Sequence, residues 1–301
     1  MNSIYAVLID GTIYASWLFL VAAGLTVIYG VMRILNMAHG SFYAIGAYAA
    51  ASMVGWYFNG EGAALPVWGS YLMLVVCALV AGLVVGLVIE RGLLRLMYGR
   101  DEILMVIITY ALLLILEDGM KMVWGVDPYM AFQPYAEMGR SVLGGLKVSN
   151  YDLALIAVSL VVGGGLWAWL ERTNTGKVLR AVIHDREVAM AMGVNVGLMF
   201  TLTFVLGTTL GALAGALTAP AISVAPGLGV EVIVLAFAVV VVGGLGSIEG
   251  AAAGALLVGL ARAAAVHYAP ELELFVIYGV MSLVLAVRPQ GLFGRTLVRK
   301  I

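Results

Sequence analysis

GTIYASWLFLVAAGLTVIYGVM, Gly11 to Met32, is a run of 22 residues without a charge. A helix crosses a hydrocarbon core with about 20 apolar residues, so this stretch alone is long enough to span a membrane. Leu35 to Gly60 adds 26 residues in which only His39 can carry charge, and Gly62 to Ile89 adds 28 with none. Such runs recur along the chain, which excludes a single anchor or a cleaved signal. The start MNSIYAVLID also lacks the basic opening of a signal peptide, so the first helix is expected to stay. Across all 301 residues the chain is 63% hydrophobic, with a mean hydropathy of +1.07, whereas soluble domains are roughly half apolar. The fold class is all-α: a polytopic transmembrane helical bundle forming one domain over residues 1–301.

Spans are expected near 12–32, 38–58, 68–90, 103–124, 151–170, 198–219, 230–247, 250–268 and 272–288. Several are short or glycine-rich enough to be broken or re-entrant, so the count is eight to ten. With nine crossings and the N-terminus outside, the cytoplasmic segments hold Arg33, Arg91, Arg95, Arg100, Arg172, Lys177, Arg180, Arg186, Arg288, Arg295, Arg299 and Lys300. That is twelve of the sixteen basic residues, the orientation that the positive-inside rule favours. Pro128, Pro134 and Gly144-Gly145 mark about 125–150 as an external loop, too short to hide a soluble domain.

Residues 171–197 form a polar island. Arg172, Lys177, Arg180, His184, Asp185, Arg186 and Glu187 fall together in a chain of which only 11% is charged. Placed in the cytoplasm, the island must meet water or another protein. The chain has no GxxxxGK[ST] loop, no GxSxG elbow and no HExxH pair, so no enzyme is expected here and any nucleotide is bound elsewhere. Three scattered histidines and the lone Cys77 offer no metal cluster and no internal disulfide. No nucleic-acid partner is expected either, only the lipid bilayer and other proteins.

Three further features stand out. In GGLGS, Gly243, Gly244, Gly246 and Ser247 lie between Glu231 and Glu249 and would break a helix, which at membrane depth is tolerated only under protein cover or beside a watery path. In RILNMAHGSF, Asn36, His39 and Ser41 place polar groups between two apolar runs. They read either as a capped cytoplasmic turn or as the lining of a gate. Glu117, Asp118 and Lys121 interrupt the fourth span, marking either its outer end or a buried charged network; Glu117 and Lys121 share one helical face. Glycines four apart, such as Gly207, Gly211 and Gly215, read as close helix packing.

GLTVIYGVMRILNMAHGSFYAIGAYAA (Gly24–Ala50), GGLGSIEGAAAGALLVG (Gly243–Gly259) and VRPQGLFG (Val287–Gly294), with the RAVIHDREVAMAMGVNV loop, closely resemble the permease subunits of bacterial ATP-binding cassette importers for branched-chain amino acids. The resemblance covers nearly the whole chain. It implies a multi-pass inner-membrane subunit working by alternating access, and four kinds of partner: two cytoplasmic ATPases, a related or identical permease, a periplasmic substrate-binding protein and the bilayer. No cofactor is expected on this chain; ATP and Mg would be bound by the partner ATPases. The loop Arg180–Val196 corresponds to the family's ATPase-docking element, with Glu187, Ala189 and Gly193 matching its pattern and His184, Asp185 and Arg186 beside them. One amphipathic helix is expected over about 176–192, offering Val178, Val182, Ala189 and Met190 for apolar contact and ending at Gly193. Glu249 departs from the family, which tends to carry proline there. An echo between Gly40-Ser41-…-Gly46-Ala47 and Gly246-Ser247-…-Gly250-Ala251 fits an inverted repeat with paired gates. Permeases for urea, short amides, aromatic acids or sugars share the architecture. A channel or ion-coupled carrier using His39, Glu117, Asp118 or Lys121 is the reading from another class.

Overall fold

The computed structural model describes residues 2–59 and 66–294. Arg295, Arg299 and Lys300, three of the basic residues used for orientation, lie outside the described residues, as do Gly60 and Gly62 at the ends of two apolar runs. In chain order the elements are α1 (Asn2–Met32), α2 (His39–Asn59), α3 (Trp68–Ile89) continued by a π-turn (Glu90–Leu94) and α4 (Arg95–Met97), and α5 (Glu102–Trp124). Next come β1 (Tyr129–Met130), α6 (Gln133–Glu137), β2 (Arg140–Leu143), β3 (Leu146–Ser149), α7 (Asn150–Arg172), α8 (Asn174–His184) and α9 (Arg186–Ala191). The chain continues with α10 (Val196–Thr218), β4 (Ser223–Val224), α11 (Leu228–Gly243), α12 (Ile248–Tyr268) and α13 (Glu273–Val287).

Among the described residues, seven helical segments are long and apolar enough to cross a membrane. The 21-residue α2 and the 16-residue α11 are two further helices, so each of the nine expected spans has its helix. Their boundaries follow local chemistry. Asp101, Ser149, Asn195 and Ser247 each accept a backbone N–H and cap the helices that follow, as short polar side chains do. The expected span 230–247 instead stops at Gly243, because Gly244 (φ 105) and Gly246 (φ 83) hold backbone that a helix cannot use.

α1 is the most enclosed span and packs against α7, α10, α11 and α12. With no hydrophobic drive between helices in lipid, close approach at small residues does the work. A Cβ on Gly259 would lie 2.6 Å from the Gly11 carbonyl, and Gly46 packs directly on Ala212 where α2 crosses α10. The loop expected over about 125–150 is built rather than slack: β1 pairs antiparallel with β4, and β2 with β3 through Gly144-Gly145. The single helix expected over 176–192 is two. Asp185 leaves helical geometry (φ −152, ψ 105) and its Oδ1 accepts from the amides of Glu187 and Val188, both at 3.0 Å, starting α9 afresh.

Candidate functional site

α1 ends at Met32, where Arg33 takes the left-handed φ of 56. The chain then turns back into the bundle rather than across its surface. Met37 N donates to Thr109 Oγ1 on α5 at 3.2 Å, and that hydroxyl lies 3.2 Å from the Leu35 carbonyl. Asn36 Oδ1 accepts from Ala38 N at 3.2 Å, and the Asn36 carbonyl accepts from His39 N at 3.2 Å. α2 therefore begins deep: His39 Nε2 lies 3.0 Å from the Val21 carbonyl, eleven positions before the end of α1, or about 16 Å of helix.

The imidazole fills a socket made by glycines on two other helices. A Cβ would sit 2.8 Å from His39 Cε1 on Gly24 and 3.0 Å from it on Gly211. Asn36, His39 and Ser41 are all fully buried, which rules out an exposed turn for this segment. Asn36 Nδ2, His39 Nδ1, Ser41 Oγ and, on α1, Thr26 Oγ1 have no hydrogen-bond partner. Buried polar atoms are nearly always paired, so several orphans in one region ask for partners that another state or a solute supplies.

The second break is α11 to α12. Gly243 and Gly244 are buried, whereas Gly246 is exposed and packs on Gly30 of α1. Ser247 caps α12 through Gly250 N at 3.0 Å and also touches Glu249 Oε2 at 3.3 Å. The C-terminal VRPQGLFG turn closes over this break. Leu292 N and Phe293 N donate to the carbonyls of Val242 and Gly243, both at 2.9 Å, satisfying acceptors that the helix end leaves open. Nothing in its composition announced that role. Along α1, His39 of the first break meets Val21 and Gly24, and Gly246 of the second meets Gly30. Gly40-Ser41 and Gly246-Ser247 do share one feature, since each lies where a helix restarts.

Glu117, Asp118 and Lys121 separate into two structures. Lys121 pairs with Asp118 at 3.0 Å, and both side chains are well exposed. Glu117 is buried and accepts from Gly227 N, the residue before α11, so it caps that short helix from α5. The face shared by Glu117 and Lys121 does not become a contact, because Asp118 is the nearer and wetter partner.

On the polar island, Arg180 is held by Glu171 at 2.5 Å and Arg186 lies over the Phe200 ring at 5.1 Å. Val182 and Ala189, expected to face outward, are buried with Leu179 against the bundle. The outward apolar residues are Val188, Met190 and Met192, with His184 and Glu187 exposed beside them. Of the four residues expected to be available for contact, Met190 is exposed and Val178 half-buried, while Val182 and Ala189 face inward; the break at Asp185 restarts the helical phase for α9. Gly193 ends α9 at φ 83, as expected of a glycine there.

The chain as a whole is similar to known proteins. The family model for the branched-chain amino acid transport system / permease component matches residues 7–285. The high-affinity branched-chain amino acid transport system permease protein BraD of Pseudomonas aeruginosa is 30% identical over 98% of this chain and 97% of its own. LivH of Escherichia coli, described in the same words, is 28% identical over 97% and 96%. Among solved structures, a chain of PsaBC from Streptococcus pneumoniae, in complex with Fab, aligns over 93% of this chain and 91% of its own at 11% identity, with a TM-score of 0.49. Matched almost end to end by that family model and by BraD, the chain is a multi-pass membrane transport subunit and belongs to the family of permease components of branched-chain amino acid transport systems.

Proposed function

We propose that this chain is the inner-membrane permease subunit of an ATP-driven importer for branched-chain or other aliphatic amino acids, working by alternating access. The substrate follows the printed descriptions of the relatives, BraD and LivH. Two cytoplasmic ATPases, a related or identical second permease and a periplasmic binding protein complete the assembly, with ATP and Mg held by the ATPases. The N-terminus is outside and the C-terminus inside, as the distribution of basic residues favours.

The observation that carries this reading is the α8–α9 segment. Its Val188, Met190, Met192, His184 and Glu187 are exposed, while Leu179, Val182 and Ala189 root it in the bundle. Exposed apolar side chains flanked by charge on a short helix suit a groove on another protein. Motion of that segment would act on the α1–α2 break, whose unpaired atoms at Asn36, His39 and Ser41 would meet water or solute once the glycine socket opens. The ion-coupled alternative is disfavoured by Glu117 serving as a helix cap and by Lys121 and Asp118 neutralising each other. Co-isolation with an ATPase, lost in the Glu187→Ala, Gly193→Pro double variant while membrane insertion persists, is the expected result. Solute flux without ATP through vesicles holding this chain alone would contradict it.

A further inference from the structure

The inner end of α3 carries a feature that neither the packing nor the proposed path requires. Its last turn widens into a π-turn at Glu90–Leu94, a geometry concentrated at functional positions. Glu90 is fully buried there. Its Oε1 accepts from Tyr98 Oη at 2.7 Å, and its Oε2 has no partner. A carboxylate buried on so few hydrogen bonds is costly unless something else is gained. Tyr98 follows α4 and stands outside the spans. Burial, with Glu90 accepting its hydrogen bond, pushes the phenol well above its ordinary range and keeps it a donor.

The contacts continue from Tyr98 towards the cytoplasmic segment. Its ring meets Phe200 of α10 edge to face, at 5.1 Å and 87°. Phe200 is buried, and its ring carries the Arg186 guanidinium at 5.1 Å. The charges of Arg95 and Arg186 also reach Tyr98. Arg186 is the first residue of α9, so side-chain contacts run from the docking segment through α10 to a buried carboxylate on α3. Beyond this point α3 and α10 touch almost backbone to backbone: Thr208 Oγ1 donates to the Gly82 carbonyl at 3.1 Å, and Gly86 packs on Val205 and Thr208. So close an interface, held by that hydrogen bond, makes α3 and α10 a single packed pair. α10 also carries Gly211, one wall of the His39 socket.

We infer that Glu90, Tyr98, Phe200 and Arg186 are the positioning residues that make the inner ends of α3 and α10 move as one body with α9, so that displacement of the docking segment reaches the α1–α2 break. The inference rests on the docking assignment made above. A purely structural pin would set only how much complex accumulates, whereas a coupling element sets how much solute moves for each ATP hydrolysed.

The test uses the assembled transporter in proteoliposomes and reads three quantities: ATPase co-isolation, ATP hydrolysis and solute moved per ATP. Tyr98→Phe removes one hydroxyl. Co-isolation is expected to stay intact while solute per ATP falls about tenfold, the size expected for losing one buried hydrogen bond. Glu90→Gln still accepts from Tyr98 and is expected to keep most of the coupling; Glu90→Leu is not. Tyr98→Phe combined with Arg186→Ala should cost less than the sum of the two singles, as for members of one chain of contacts. An unchanged ratio in Tyr98→Phe and Glu90→Leu, or strict additivity, overturns the inference. If Glu187→Ala with Gly193→Pro also leaves assembly and coupling unaltered, the docking assignment fails instead.

Discussion

The Nε2 of His39 donates to the carbonyl oxygen of Val21 at 3.0 Å. That hydrogen bond ties the first residue of α2 to the middle of α1. A carbonyl can only accept, so the proton lies on Nε2 and the unpartnered Nδ1 is a spare acceptor. With Gly24 and Gly211 pressed against the ring, three helices meet on one imidazole. It is the most specific contact at the candidate gate.

His39→Ala is expected to remove both the bond and the wedge. Stability should fall by about 1–3 kcal/mol, the range for a lost buried hydrogen bond, seen as a lower melting temperature in detergent. ATP-driven uptake should fall by more than the remaining folded fraction explains. Gly24→Ala should disturb the protein more than Gly211→Ala, because its Cβ would also meet the Gly207 carbonyl at 2.6 Å. Equal effects at the two glycines would argue against a tight socket.

Glu117→Gln should weaken the cap on α11, at a cost of about 1 kcal/mol typical of a helix cap. Hydrogen exchange at Gly227 and the first turn of α11 should accelerate. Lys121→Ala should leave uptake and stability as they are, since its pairing with Asp118 is exposed. Loss of transport in Lys121→Ala, rather than in Glu117→Gln, would favour an ion-coupled carrier.

Asp185→Ala removes the acceptor of two amides at the start of α9, and Gly193→Val forces a branched residue into φ 83 at its end. The cost is about 1 kcal/mol for the cap and about 1–2 kcal/mol for the left-handed backbone. Both substitutions lie outside the membrane-crossing helices, so membrane insertion is expected to be normal, with reduced ATPase co-isolation. Protease nicking between 184 and 194 in the isolated chain reports the loosening directly.

Gly291→Val would drive a side chain into Gly244, whose N and Cα lie 2.6 Å from a Cβ at that site. The C-terminal turn should lift from the α11–α12 break and free the carbonyls of Val242 and Gly243. Faster exchange at the Leu292 and Phe293 amides is the expected signature. Unaltered exchange there would mean that the turn is not what closes the break.

The spans were legible because lipid demands about 20 uncharged residues per crossing, and Gly11–Met32 or Trp68–Ile89 can be little else. Gly193 was legible because a glycine after an amphipathic run has a local meaning. Other features were set by neighbours distant in sequence. Asp185 reads as one more charge of the island until its side chain is seen bonding two amides. Glu117 reads as a partner for Lys121 by spacing, yet its partner is Gly227, 110 residues away. His39 was singled out as a polar group between two apolar runs, with a capped turn or a gate left open; its burial and its contact with Val21 needed the linker to fold back under Thr109. Glu90, Tyr98 and Phe200 gave no local signal, because a π-turn and an edge-to-face pair leave no pattern in spacing.

The most direct test of the central claim is uptake of labelled leucine into proteoliposomes containing this permease with its co-isolated ATPase and permease partner. The proposal predicts uptake that requires both ATP with Mg and the loaded binding protein, and that is abolished by Glu187→Ala with Gly193→Pro. Leucine flux that proceeds without nucleotide, or that persists undiminished in that variant, would contradict it.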